Sequence, residues 1–147
     1  MDPRKFLTFA TSIANTGSGP AEYRRAISGA YYAAFNVAVE FLRQKARLEP
    51  HKQDKHTAVK LSLIECKNAA AKKLGMTLDS LHTERKKADY EMRNPQPEKQ
   101  AMVTMACQLS QQIIGGLDGF LPADVASVVT GMQAWAATSK SGLRTLP

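Results

Sequence analysis

Apolar residues recur at three- and four-residue steps along almost the whole chain, the spacing that gathers them on one face of an α-helix. The first such segment runs to about residue 15, with Phe6, Phe9 and Ile13 on its apolar side. Asp2 stands where an N-cap belongs, and Pro3 takes the first helical position, where a missing N–H costs nothing. Thr16-Gly17-Ser18-Gly19-Pro20 ends this helix. A second, long helix is predicted over residues 20–48, its face made by Tyr23, Ile27, Ala30, Tyr31, Ala34, Ala38, Phe41 and Leu42.

Pro50 and the polar run to His56 predict a loop. A third helix follows over residues 57–74, with Val59, Leu63, Cys66 and Ala70 buried and Gly75 as its break. The fourth covers residues 78–93 and is closed by Asn94-Pro95-Gln96-Pro97; the fifth covers residues 98–114 and loosens at Gly115-Gly116-Leu117-Asp118-Gly119. Leu121-Pro122 opens a sixth over residues 122–138, with Val125, Val128, Met132 and Trp135 on one face, a stripe suited to capping the core or docking on a partner. No segment alternates with a period of two, so no sheet is predicted, and no repeat recurs at solenoid spacing. The expectation is an all-α, up-and-down helical bundle of five to six helices, one domain over residues 1–138 with a flexible tail over 139–147.

Composition narrows the class. At 44% apolar and 22% charged residues, the 147-residue chain is neither disordered nor fibrous and is long enough for one core. No apolar stretch reaches the roughly 18 to 20 residues of a membrane span. The opening Met1-Asp2-Pro3-Arg4-Lys5 lacks the apolar run of a leader, so a cytoplasmic address is expected. Cys66 and Cys107 lie in helical patterns without metal-ligand spacing and are read as two buried thiols in a reducing compartment.

The formal charge of +7 is unevenly spread. Between residues 43 and 73 stand nine basic residues (Arg43, Lys45, Arg47, Lys52, Lys55, Lys60, Lys67, Lys72 and Lys73) against Glu49, Asp54 and Glu65. Most of the net charge therefore sits on one loop and its flanks, the first choice for a phosphate-facing surface.

Most enzyme signatures are missing. Gly115, Gly116 and Gly119 follow a helix with no strand before them, so they form no phosphate-cradling loop. His51, His56 and His82 have no spacing that implies a shared metal; neither metal nor cofactor is expected. Two segments are distinctive. On the second helix Arg25, Ser28, Tyr32 and Asn36 share one side, a polar stripe beside the apolar face, and a buried polar stripe marks a hydrogen-bond network or a site. On the fourth, His82 precedes Arg85-Lys86-Lys87-Ala88-Asp89-Tyr90; Arg85 and Asp89 are one turn apart and can pair, while Tyr90 points elsewhere on the wheel.

At these residues a resemblance appears. Arg25-Ala26-x-Ser28-x-x-Tyr31-Tyr32-Ala33-Ala34-Phe35 resembles the opening long helix of small HEPN-domain proteins. The pair His56-Thr57 and the segment from Arg85 to Tyr90 follow in the same order as in that family. The resemblance covers roughly residues 20–93. It implies a small, usually dimeric helical bundle that acts on or binds RNA or nucleotides, in toxin–antitoxin or defence systems, or beside a nucleotidyltransferase partner. HEPN RNases carry an arginine followed, after four to six residues, by a histidine. Here those positions hold Tyr90, Glu91 and Met92, and no histidine follows Arg85.

Chemistry points the same way. Metal-free RNA cleavage needs a proton acceptor and a donor that titrate near neutrality. An unperturbed tyrosine titrates at about 10 and arginine stays charged. Arg85 can still hold a phosphate in a fork, Tyr90 can stack on a base and Asp89 can accept from a hydroxyl. The expectation is an RNA- or nucleotide-binding homodimer, non-catalytic or regulatory, that uses Arg85, Asp89, Tyr90, Arg25, Ser28 and Tyr32 with Lys52, Lys55 and His56, and partners a nucleotidyltransferase or antitoxin protein. One alternative is a metal-independent RNase toxin in which Arg85 works with His82 or Tyr90. Another is a helical protein–protein adaptor using the 125–135 stripe. The plainest reading of Arg85, Asp89 and Tyr90 is an internal polar network.

Overall fold

The computed structural model describes residues 1–51 and 53–147. Among them are six α-helices: α1 (Arg4–Thr16), α2 (Pro20–Phe41), α3 (Lys55–Ile64), α4 (Ala69–Tyr90), α5 (Gln100–Asp118) and α6 (Pro122–Ala136). The fold is an all-α helical bundle. Two three-residue strands, β1 (Leu48–Pro50) and β2 (Leu143–Thr145), pair antiparallel with Glu49 opposite Arg144. The chain divides into two units, Met1–Asn36 with Leu78–Ile113 and Val37–Thr77 with Ile114–Pro147.

In the first unit, α1 begins where Asp2 Oδ1 accepts the Arg4 backbone N–H at 2.9 Å, and it ends where Gly17 turns to a φ of 73°. Its buried positions are Ala10 and Ala14. Phe6 and Phe9, expected in the core, are 37% and 45% exposed. Ala10 and Ala14 take the buried side of α1, and the phenyl rings stand at its edge, Phe9 Cδ1 4.0 Å from where a Cβ on Gly29 of α2 would lie. Residues 20–36 of α2 bury far more than one stripe (Ala26, Ile27, Ala30, Tyr31, Ala33, Ala34 and Phe35), as a helix surrounded by others must. Leu78, Leu81 and Ala88 of α4 and Val103, Ala106 and Cys107 of α5 complete this core. The buried Ser110 Oγ donates to the Ala30 carbonyl at 2.7 Å, so the polar group is satisfied.

The second unit corrects several boundaries. The second helix does not reach residue 48: it widens into a π turn over Leu42–Ala46, and Arg47 takes the left-handed conformation with φ 56°. That reversal feeds the chain into β1. α3 begins two residues earlier than predicted because Asp54 caps it, accepting the Thr57 N–H at 3.0 Å.

The predicted helix over 57–74 is broken at residues 65–68, where Lys67 has φ 60° and Asn68 Oδ1 accepts the Ala71 N–H at 3.0 Å. Gly75, expected to stop that helix, sits inside α4. A Cβ there would stand 2.7 Å from Ile64 Cγ1 and 2.9 Å from Leu63 Cβ, so this glycine admits a crossing helix. The restart also turns Ala70 outward and Ala71 inward. Gly115 and Gly116 likewise lie within α5.

The expected absence of strands is also corrected. β2 pairs with β1, the His51 N–H bonds the Gly142 carbonyl at 3.1 Å, and Ser141 and Leu143 are buried. A three-residue strand is too short to show a period of two. Val128 and Met132 of α6 are buried in this unit, Trp135 is half-buried, and Gly131 passes against the Cys66 carbonyl. Cys66 and Cys107 are both buried free thiols, and burial pushes each thiol up from its ordinary range. Among the described residues no single helix is long and apolar enough to cross a membrane.

Candidate functional site

The polar stripe of α2 and the Arg85 turn of α4 meet in the first unit. Arg85 Nε lies 2.6 Å from Asp89 Oδ2, one turn along the helix, with both side chains largely buried. The carboxylate oxygen stands off the Nε–H axis, so the contact is ionic rather than a hydrogen bond. Arg85 Nη2 donates to the Tyr32 hydroxyl at 2.6 Å and, at the outer limit of 3.5 Å, to that of Tyr90. Ser28 Oγ donates to Asp89 Oδ2 at 3.2 Å. The guanidinium carbon also sits 5.1 Å from the Tyr32 ring centre, 5.4 Å from that of Tyr90 and 6.0 Å from that of Tyr31, within cation–π range of all three.

Arg85 is thus held by a carboxylate, a hydroxyl and three rings. Tyr90 is 69% exposed and forms the open side of the cluster. His82 stacks on Tyr31, ring centres 5.0 Å apart and planes 21° from parallel, while Tyr31 stacks in turn on Phe35 at 5.8 Å. That makes His82 part of an aromatic column.

Beside this cluster opens a cavity of about 510 Å³. Arg25, Ser28, Gly29, Tyr32 and Asp89 form one side; Met1, Lys5, Phe6 and Phe9 of the N-terminal segment form the other. Lys5 and Arg25 are exposed, and neither makes a side-chain hydrogen bond or ion pair among the described residues.

The structure therefore brings together Arg25, Ser28, Tyr32, Arg85, Asp89 and Tyr90. Lys55 and His56 belong to the second unit; Lys52 lies outside the described residues. In that second unit Arg43 donates to Glu49 Oε2 at 3.1 Å, and Arg144 Nε donates to Glu49 Oε1 at 2.6 Å. The Arg144 bond above all, then Arg43, holds the Glu49 carboxyl below its ordinary range. Lys45, Lys55, Lys67, Lys72 and Lys73 are exposed. Among the described residues no three His, Cys, Asp or Glu side chains gather as metal ligands would.

Sequence reasoning missed Arg24. The side chain is buried and donates to the carbonyls of Ala88 at 3.0 Å, Glu91 at 3.2 Å and Asn94 at 2.7 Å, and to Glu98 Oε1 at 2.8 Å. A cation here satisfies the Ala88 carbonyl in the last turn of α4, complements the helix dipole and ties down the loop that follows. It fixes the turn that carries Asp89 and Tyr90. Phe6 and Phe9 were missed as well, because their spacing fits a core face equally well.

Comparison of the chain with protein-family models, with curated proteins and with solved structures gives no match.

Proposed function

We propose that this protein is a HEPN-like RNA- or nucleotide-binding protein, regulatory rather than catalytic, that acts as a homodimer beside a nucleotidyltransferase or antitoxin partner. The observation that carries the reading is the junction of the α2 polar stripe with Arg85 and Asp89 at the edge of an open cavity. The paired Arg85 and Asp89 cancel each other locally, and the charge facing the cavity is that of Arg25 and of Lys5, which is also drawn to the Asp2 carboxylate. The surplus is positive, and an anion is the fitting guest. Tyr90, exposed beside the guanidinium, offers a face for a base.

Binding is favoured over cleavage because no histidine follows Arg85, where HEPN RNases carry one after four to six residues. His82 stacks on Tyr31 as a member of the aromatic column. The adaptor reading loses ground to the use of Val128 and Met132 inside the second unit.

The test is retention of labelled cellular RNA at low salt, read for cleavage in the same sample, for the parent protein, Arg25→Glu and Arg85→Ala. The expected result is retention without cleavage, weakened by both substitutions. On single strands the logarithm of the binding constant should fall against the logarithm of salt with a slope of about −0.7 per phosphate neutralised. Cleavage abolished in Arg85→Ala overturns the reading in favour of an RNase. Neither retention nor cleavage overturns it in favour of an adaptor.

A further inference from the structure

We infer that the cavity between α1 and the polar stripe of α2 is a mononucleotide pocket, in which Phe6 and Phe9 stack the base and Lys5 with Arg25 hold one phosphate. This rests on the nucleotide-binding reading above and narrows it from a charged face to one open cavity, with α1 as the recognition element. The chemistry is shared by a free nucleoside monophosphate and by the terminal nucleotide of an RNA strand.

Four features point to this ligand. Phe6 and Phe9, one turn apart on α1, both line the cavity and are exposed, although the buried side of that helix is Ala10 and Ala14. Two phenyl rings held at the rim of a cavity offer flat apolar surface to a planar ring, the sequence-tolerant half of nucleotide recognition. Lys5 and Arg25 line the same cavity from two helices, without a side-chain hydrogen bond or ion pair among the described residues, so two cations stand ready for a phosphate.

The third feature is Asp89. Its contacts with Ser28 and Arg85 both fall on Oδ2, so Oδ1 remains an acceptor for a sugar hydroxyl. Arg85 offsets the charge that would otherwise repel the phosphate. The last is size: about 510 Å³ falls within the roughly 300–1,000 Å³ of small-molecule sites. Gly29 keeps the cavity open, since it contributes to the lining with no side chain, and a Cβ there would meet only Phe6 O at 3.5 Å and Phe9 Cδ1 at 4.0 Å.

The experiment is calorimetric titration of the full chain with the four common nucleoside 5′-monophosphates, the matching nucleosides, inorganic phosphate and a short single-stranded RNA. The variants are Phe9→Ala, Arg25→Gln and Gly29→Leu, all at exposed or half-buried positions. The inference expects monophosphates to bind and nucleosides to bind at least about tenfold more weakly. Phe9→Ala should cost at least about fivefold, the smallest loss that removing a stacking ring carries. Arg25→Gln should weaken the monophosphate but not the nucleoside, and Gly29→Leu should abolish both.

Free nucleotide and strand terminus are told apart by a 5′-phosphorylated RNA that competes with the monophosphate at the same site; the strand is the source if it binds more tightly. Inorganic phosphate binding as well as the monophosphate overturns the stacking half and leaves an anion site. RNA retained with no monophosphate bound, or monophosphate affinity unmoved by Phe9→Ala and Gly29→Leu, overturns the pocket while the broader reading stands. No binding of RNA or nucleotide overturns both. A switch from dimer to monomer in Phe9→Ala with nucleotide affinity unchanged also overturns the pocket, because the phenyl rings then serve a second copy of the chain.

Discussion

Arg24 and Glu98 form an ion pair of 2.8 Å at the end of α4, and the same guanidinium binds the Ala88 carbonyl in its last turn and the Asn94 carbonyl of the loop beyond. The two residues are 74 positions apart. Removing the cation strands both a half-buried carboxylate and several carbonyls. Arg24→Ala should cost about 3 kcal/mol or more, the loss that follows when one partner of a buried pair is deleted. Glu98→Gln keeps a hydrogen-bond acceptor and should cost about 1 kcal/mol. Urea unfolding of both variants checks the ranking, and an equal cost would show that the pair rather than the carbonyl set holds the turn.

Two glycines should respond to alanine with opposite signs. A Cβ on Gly131 of α6 would run into the Cys66 carbonyl oxygen, whereas one on Gly115 of α5 would meet nothing within 4 Å. Gly131→Ala must push α6 off the 65–68 segment and should destabilise by about 2–3 kcal/mol, in the range of an overpacked core. Gly115→Ala gains helix propensity and should stabilise by about 0.5–1 kcal/mol. Thermal melts of the pair read both signs at once.

Acid should loosen the strand pair. Arg144 and Arg43 depress the Glu49 carboxyl in the folded chain, so the folded state binds the proton less readily than the unfolded chain does. The stability this contributes is complete above the ordinary value of 4.5 and is lost as pH falls through the folded value. Glu49→Gln should therefore be less stable than the parent at pH 7, with the difference closing below about pH 4. Urea midpoints at pH 7, 5 and 3 test this; a difference that stays constant across the series would remove Glu49 from the account.

Both thiols should be silent in the native protein. Burial raises Cys66 and Cys107, and Cys66 Sγ also donates to the Leu63 carbonyl at 3.1 Å. The thiolate is the reactive form. A chromogenic disulfide reagent at pH 8 should report no fast thiol in the folded protein and two after unfolding in guanidinium. One fast thiol under native conditions would mark a local opening around it.

The helical class was legible because burial in a bundle imprints its 3.6-residue period on nearly every segment. The stripe of Arg25, Ser28 and Tyr32 was legible for the same reason, since positions three and four apart share a helix face whatever lies opposite. Gly75 and Gly116 misled because glycine signals two different things: a chain that must turn, and a helix that another must cross closely. Only the neighbours, Ile64 and Leu63 for one and Leu74 for the other, tell which. The true break did leave a local mark, since Asn68 is a good N-cap, but nothing in the apolar spacing weakened there. Arg24 was illegible in principle. Its partners lie on a helix end more than sixty positions away, and its neighbour Arg25 has the same side chain with an exposed fate.

The strand pair has a consequence for the chain as it is made. Glu49 and Arg144 are 95 positions apart, so β1 leaves the ribosome well before its partner exists. At about 5–20 residues per second that wait lasts roughly 5–20 s. Through that interval residues 48–50 form an open edge, available to any other nascent strand. Glu49 places a charge in the middle of it, and Pro50 removes a donor at its end. An edge with those two residues is a poor template for a stranger, and it waits for the one strand that brings Arg144 opposite the carboxylate.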